Sequence, residues 1–193
     1  MESPKGILVK AIAMKTLYFI CALYFLMDLA KCQNRFRIFF DEFAIKYKVP
    51  DVFEKMDCNL FQSNNRSYVN AEMILKKEVA DLNVRALMEF WKPNAKTKLK
   101  LYDVRMDGCL VLRTMNKNKL FYFFVKSFKK HSNVLLSCPF KANFTYKMND
   151  WFLDEEELPQ FVPVGEFRTV TEYFSQQRLI IRVVAHGGIL PKS

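Results

Sequence analysis

The chain has 193 residues, 51% of them apolar and 15% aromatic, with a formal net charge of +10, five cysteines and two histidines. That length supports one domain with a substantial core and is short for two. Repeats and low-complexity tracts are absent, and two histidines offer few neutral-pH bases for catalysis.

Lys5, Lys10 and Lys15 precede Thr16 to Met27, a run of about twelve uncharged residues with the pattern of a secretory signal. The competing reading is a signal anchor, but Asp28 stops the run short of the ~20 residues that span a bilayer. Cleavage after Cys32 puts Ala30 and Cys32 at the small-residue positions; cleavage after Ala30 retains Cys32 but places Asp28 at the third residue before the cut. Residues 1–32 are therefore read as a signal peptide and 33–193 as one domain, with three or four cysteines remaining.

Two N-x-[ST] sequons, Asn65-Arg66-Ser67 and Asn143-Phe144-Thr145, fit a lumenal route and predict N-glycosylation at Asn65 and Asn143. The excess of Lys and Arg survives removal of the signal. On an extracellular protein it points to anionic lipid headgroups or sulfated glycans rather than nucleic acid, or simply to solubility.

In the domain, Arg35 to Phe40 begins a strand and the alternation of Phe43, Ile45 and Tyr47 carries it toward Pro50. Lys55 to Leu60 is a second strand, closed by a polar turn at Ser63-Asn64-Asn65-Arg66. Val69, Ala71, Met73 and Leu75, then Leu82, Val84, Ala86, Met88 and Phe90, alternate most regularly, each with one apolar face. Lys77 to Asp81 connects them, and Pro93-Asn94 ends the second.

Lys96, Lys98 and Lys100 form a basic stripe, and Tyr102, Val104 and Met106 continue the apolar side with opposite parity, which predicts a bulge near Leu101. The stripe suits lipid or glycan; lysines also protect sheet edges against pairing. Leu120, Phe121, Phe124, Val125 and Phe128 recur at helical spacing and predict a short helix near 117–130, with Lys126, Lys129 and Lys130 at its C-terminal end. The run Leu120 to Val125 is apolar all round, which also suits a strand.

Strands are expected at Val134 to Leu136 and at Phe144 to Met148, an exposed acidic loop at Asp154 to Glu157, and a hairpin opened by Gly165. In that hairpin Phe167, Thr169, Thr171 and Tyr173 lead to a turn at Ser175-Gln176-Gln177 and back through Leu179, Ile181, Val183 and Ala185. Gly187-Gly188 and Pro191 finish the chain. About nine short strands and one helix define an all-β antiparallel sandwich. If Cys109 and Cys138 pair, they close a loop of about thirty residues and stabilise the fold by roughly 3–4 kcal/mol.

Cys58-Asn59-Leu60 leading to Asn65-Arg66, Asp107-Gly108-Cys109-Leu110, His131 to Pro139 and Val162 to Phe167 resemble a large insect family of small secreted proteins of unknown function. That family includes the chemosensory B proteins linked to pheromone detection. It is thought to be related to the ML lipid-recognition superfamily, which folds as an immunoglobulin-like β-sandwich. The resemblance covers roughly residues 35–190, and its Asp-x-Cys and Ser-Asn-x-x-x-x-Cys-Pro elements are the specific ones. The family usually carries a further cysteine before the Cys58 position; residues 33–57 hold none. The resemblance implies an ML-type sandwich, a lipid held between its sheets, and motif residues with structural rather than catalytic roles.

Catalytic and metal signatures are absent from the sequence: His131 and His186 sit in no Ser/His/Asp or Cys/His pattern, and metal-ligand or phosphate-loop spacings do not occur. No cofactor is expected. The expectation is a secreted, extracellular, non-enzymatic protein carrying a lipid or pheromone-like hydrophobic ligand, with a membrane receptor as a further partner. Val84, Met88, Phe90, Leu101, Phe121, Phe124 and Tyr146 are the candidate ligand-lining residues. The alternative is an interaction protein with a filled core, acting as a co-receptor or glycan-binding ligand through the Lys96, Lys98 and Lys100 stripe.

Overall fold

The computed structural model describes residues 36–95, 97–114, 126–155 and 162–191. Within them the period-two segments become eight strands: β1 (Phe36–Lys48), β2 (Phe53–Ser63), β3 (Arg66–Leu75), β4 (Asn83–Trp91), β5 (Leu99–Asp107), β6 (Thr145–Trp151), β7 (Gly165–Ser175) and β8 (Arg178–Pro191). They pair antiparallel in a five-stranded sheet of order β1-β8-β7-β4-β5 and a three-stranded sheet of order β2-β3-β6. This is the all-β sandwich that the alternation predicts. Turn residues set the hairpins: Asn64-Asn65 and Gln176-Gln177 all adopt positive φ, which matches the twist of two-residue hairpin loops.

Bulges decide which side chains face inward. Met88 pairs with Tyr102 and Glu89 with Lys100, so Leu101 is the extra residue, at the expected position. In β1, Asp41 is extra between the Phe40–Gly187 and Glu42–His186 pairs; inward parity therefore passes from Ile38 and Phe40 to Phe43 and Ile45. In β6 two residues, Asn149 and Asp150, face the single Asn70 between the Val69–Trp151 and Ala71–Met148 pairs. Asp150 sits at φ 50° and its N–H donates to Asn70 Oδ1 at 2.6 Å. Trp151 is thereby turned into the core, where it is 4% exposed.

Three local expectations are corrected. Val134 to Leu136 is irregular rather than a strand, because Asn133 supplies the pairing: its N–H donates to Lys147 O at 3.0 Å, its Nδ2 to Thr145 O at 2.9 Å, and its Oδ1 accepts from Lys147 N at 2.8 Å. Gly187 and Gly188 lie inside β8 instead of ending the chain, since a side chain on either would run into Phe39. Glu155 is 5% exposed rather than part of a solvated acidic loop, accepting from Ile38 N at 3.3 Å and from Arg66 at 2.7 Å.

Residues 126–131 are helical, as the apolar spacing predicts for that part of the segment; 115–125 lie outside the described residues. A second helix, α1 (Gly108–Thr114), was not foreseen. Asp107 caps it, its Oδ1 accepting from Leu110 N at 2.8 Å. Gly108 passes so close to Leu82 and Val84 that a Cβ would lie 2.9 Å from Val84 Cγ2. Cys109 and Cys138 are disulfide-bonded, Cα–Cα 5.6 Å, and tie α1 to the segment before Phe140. The Asp107-Gly108-Cys109 motif is thus a cap, a close approach and a cross-link.

The open edge of β1 is held by side chains of the other layer. Phe40 N donates to Ser67 Oγ at 2.8 Å, and Phe40 O accepts from Gln62 Nε2 at 2.8 Å. With Glu155 on Ile38 N, these bonds join the two sheets where their backbones do not pair.

Candidate functional site

Two apolar clusters lie between the sheets. The first gathers Phe36, Ile38, Phe40, Val69, Phe90, Trp151 and Phe167, with Phe43, Leu60, Met88, Phe128 and Met148 packed against it. The second gathers Val49, Val52, Leu75, Val79, Phe140, Tyr146 and Ile181, with Leu112 and Cys138 against it. The packed residues around the first cluster come from both sheets and from the helical segment, and each keeps partial exposure. Low-dielectric surroundings are evident in the tyrosines, since burial pushes the Tyr102 and Tyr173 hydroxyls above their ordinary pKa.

Trp151 is the centre of the first cluster. Its ring stacks on Phe128 at 5.2 Å and 5° and lies 6.0 Å from Phe40 and 5.9 Å from Phe43. Its indole Nε1 is buried and, among the described side chains, is the one buried polar atom with no hydrogen-bond partner. By contrast, Trp91 on the outer face donates to Glu166 Oε2 at 3.0 Å.

A cleft of about 480 Å³ opens beside the disulfide, lined by Ala80, Leu112, Arg113, Ser137, Cys138 and Pro139 among others. Leu112 and Cys138 connect its wall to the second cluster. Its volume is within the range of small-molecule sites.

The candidate lining residues from the sequence are dispersed. Met88 and Phe90 meet in the first cluster and Tyr146 belongs to the second. Val84 lies under Gly108. Leu101, the bulge residue, is 49% exposed. Phe121 and Phe124 lie outside the described residues. Sequence reasoning did not place Trp151 in this cluster, because the Asn149-Asp150 bulge reverses the parity that Phe144, Tyr146 and Met148 establish. The positive-φ-tolerant Asn-Asp pair ahead of a tryptophan is the signal that could have found it.

The basic stripe does not form one free surface. Lys98 Nζ sits 4.3 Å over the Trp91 ring, Lys100 lies 3.6 Å from Asp103 Oδ2, and Lys96 lies outside the described residues. Arg85 binds Asp103 through Nε at 2.8 Å and through its second amino group at 2.9 Å, holding the Asp103 carboxyl down at about 2. Arg85 also reaches Glu172 Oε2 at 3.2 Å, which accepts from Arg182 at 2.8 Å on its other oxygen. On this outer face Asp103 and Glu172 thus engage Arg85, Lys100 and Arg182, three cations sharing two carboxylates.

Asn65 and Asn143 are exposed, each on a turn with positive φ. Cys58 is free and half-buried, and burial raises its thiol pKa. His131 Nδ1 lies 3.1 Å from Asn149 O, and His186 Nδ1 lies 2.8 Å from Asp41. Among the described residues no cluster of three His, Cys, Asp or Glu could hold a metal, and no helix is long and apolar enough to cross a membrane.

The model of a family described as "Protein of unknown function (DUF1091)" matches residues 86–169, less than half of the chain. That stretch contains the Asp107-Gly108-Cys109 and Ser132 to Pro139 elements, and the match supports the resemblance read from them. Among solved structures, a Niemann-Pick type C2 protein from Japanese carpenter ant is similar at 15% identity and a TM-score of 0.29, over 77% of this chain and 89% of that one. Comparison with curated proteins returns no match. The class of protein is defined by its two sheets: an antiparallel β-sandwich with an apolar interior shared between them.

Proposed function

We propose that the chain is a secreted, non-enzymatic binding protein of ML-like type that carries a hydrophobic small molecule, a lipid or pheromone-like compound, in chemosensory or lipid-handling roles. The supporting observation is the rim of the first cluster, where Phe43, Leu60, Met88, Phe128 and Met148, drawn from both sheets and the helical segment, pack around the buried Trp151 and its neighbours yet keep partial exposure. A filled core would bury them; a ligand covering them recovers roughly 25 cal/mol per Å² of apolar surface. Met88 and Met148 add the adaptable thioether surface typical of tolerant apolar sites. The disulfide cleft is the second place where such a molecule fits.

The route is secretory: residues 1–32 are removed after Ala30 or Cys32, Asn65 and Asn143 carry N-glycans, and the Cys109–Cys138 bridge forms in an oxidising compartment. Partners on that route are the ligand, a membrane receptor, and anionic lipid or glycan surfaces. The test is secretory expression, gentle purification and native mass spectrometry before and after organic extraction. A stoichiometric apolar adduct that leaves on extraction is expected, with glycan masses lost in Asn65→Gln and Asn143→Gln. A chain that stays free of adduct after incubation with lipid and hydrocarbon mixtures refutes the carrier reading. Met88→Trp and Leu112→Trp then separate the two sites, since each fills one of them.

A further inference from the structure

We infer that the indole N–H of Trp151 is the polar handle of the inter-sheet site, and that its ligand is a long-chain molecule with one neutral acceptor oxygen: an alcohol, ester, ketone or aldehyde rather than a hydrocarbon or a free acid. The inference rests on the carrier reading and adds the chemical class of the ligand.

Trp151 is 4% exposed and its Nε1 has no partner. Buried polar groups are nearly always paired, because an unmatched donor forfeits its bonds to water. The fold creates this donor by a specific device. The Asn149-Asp150 bulge, with Asp150 at φ 50° and its N–H on Asn70 Oδ1, turns the ring inward. The ring then lies against the rings of Phe40, Phe43 and Phe128, which carry no acceptor oxygen. Met88 and Met148 nearby carry thioethers, which are weak acceptors.

The occupant's charge follows from the same neighbourhood. The side chains gathered around Trp151 are apolar, and Arg66, the cation that the bonding pattern brings nearest, is already engaged by Glu155 at 2.7 Å. Glu155, whose carboxylate accepts from the amide of the cluster residue Ile38, is the acid nearest to the cluster in the bonding pattern. A carboxylate there would have one neutral N–H against its full desolvation cost. A neutral oxygen requires no more than that one donor.

The experiment uses the glycosylated full-length secreted product, stripped by extraction. Binding is measured for an n-alkane and for the primary alcohol, methyl ester and free acid of the same chain length. In parallel, indole N–H resonances are followed in protein labelled with ¹⁵N-tryptophan, assigned with Trp91→Phe. Trp91, bonded to Glu166, is the internal control.

The alcohol and ester are expected to bind roughly tenfold tighter than the alkane and acid, the worth of satisfying one buried donor. Trp151→Phe keeps an aromatic ring without the N–H and is expected to erase that difference while leaving alkane affinity in place. In the unmodified protein the Trp151 indole proton is expected to move downfield with alcohol or ester and not with alkane. Equal affinities, a preference that persists in Trp151→Phe, or an unmoved Trp151 resonance in the ligand-bound protein overturns the inference and leaves the carrier reading standing. An indole proton already exchanging rapidly with water before ligand is added also overturns it. Failure of every compound to bind refutes the carrier reading itself, and the inference with it.

Discussion

Removing the Cys109–Cys138 bridge tests the link between the motif residues and stability. The two cysteines are 29 residues apart, and cross-linking a loop of that length removes unfolded-state entropy worth about 3.6 kcal/mol at 25 °C. With a urea slope of roughly 2 kcal/mol per molar, as expected for a domain of this size, the midpoint should fall by about 1.5–2 M. The perturbation is Cys109→Ser with Cys138→Ser, compared with the parent under non-reducing conditions by circular dichroism and tryptophan fluorescence. Serine keeps the size of each side chain, so lost packing adds little. The α1 cap at Asp107 and the Phe140–Val79 backbone bonds remain in both proteins, so a native-like spectrum should persist at zero urea. A midpoint change below about 0.5 M at unchanged slope would refute the reasoning, because the closed loop could not then be restricting the unfolded chain.

Other expectations follow from single contacts. Glu155→Ala leaves Arg66 and the Ile38 amide without their buried carboxylate and should cost about 3 kcal/mol in denaturant melts, with Glu155→Gln losing less. Gly187→Ala places a methyl against Phe39 O and Phe40, an overpacking that should cost at least 1–3 kcal/mol; a neutral result would mean that β1 and β8 shift apart freely. Asp103, held at about 2 against an ordinary 3.8 by hydrogen bonds from Arg85, favours the folded state above pH 3.8, and that contribution is lost as pH falls through about 2. Asp103→Asn should therefore flatten the fall in stability over that window, read from melts at closely spaced pH. Cys58, half-buried with its thiol pKa raised, should resist alkylation in the native protein and react on unfolding; modification at the rate of a free thiol would contradict the packing.

Much of the architecture was legible in the residues themselves. Alternation along Val69 to Leu75, Val84 to Phe90 and Phe167 to Ala185 is local information, because a strand's side chains change face at every residue. The turn at Gln176-Gln177 and the bulge at Leu101 were equally readable, the first from turn chemistry and the second from a break in parity. The candidate site was less legible. Met88 and Phe90 meet in the first cluster, whereas Leu101 is exposed and Tyr146 joins the other cluster.

Tertiary structure decided what alternation cannot carry. A bulge such as Asn149-Asp150 reverses the faces of every residue beyond it, so Trp151 became interior only when Asn70 on the neighbouring strand accepted the Asp150 amide. Glu155 reads as solvated acid until Arg66 and the open edge of β1, distant in the chain, arrive beside it. Gly187 and Gly188 read as a chain end until the Phe39-Phe40 backbone packs on the first and the Phe39 ring on the second. The sequence by itself determined strands, turns and the paired cysteines, whose signals lie within a few residues or in a motif. Which faces meet, and which buried donor has no acceptor, depended on side chains brought together from strands far apart in sequence.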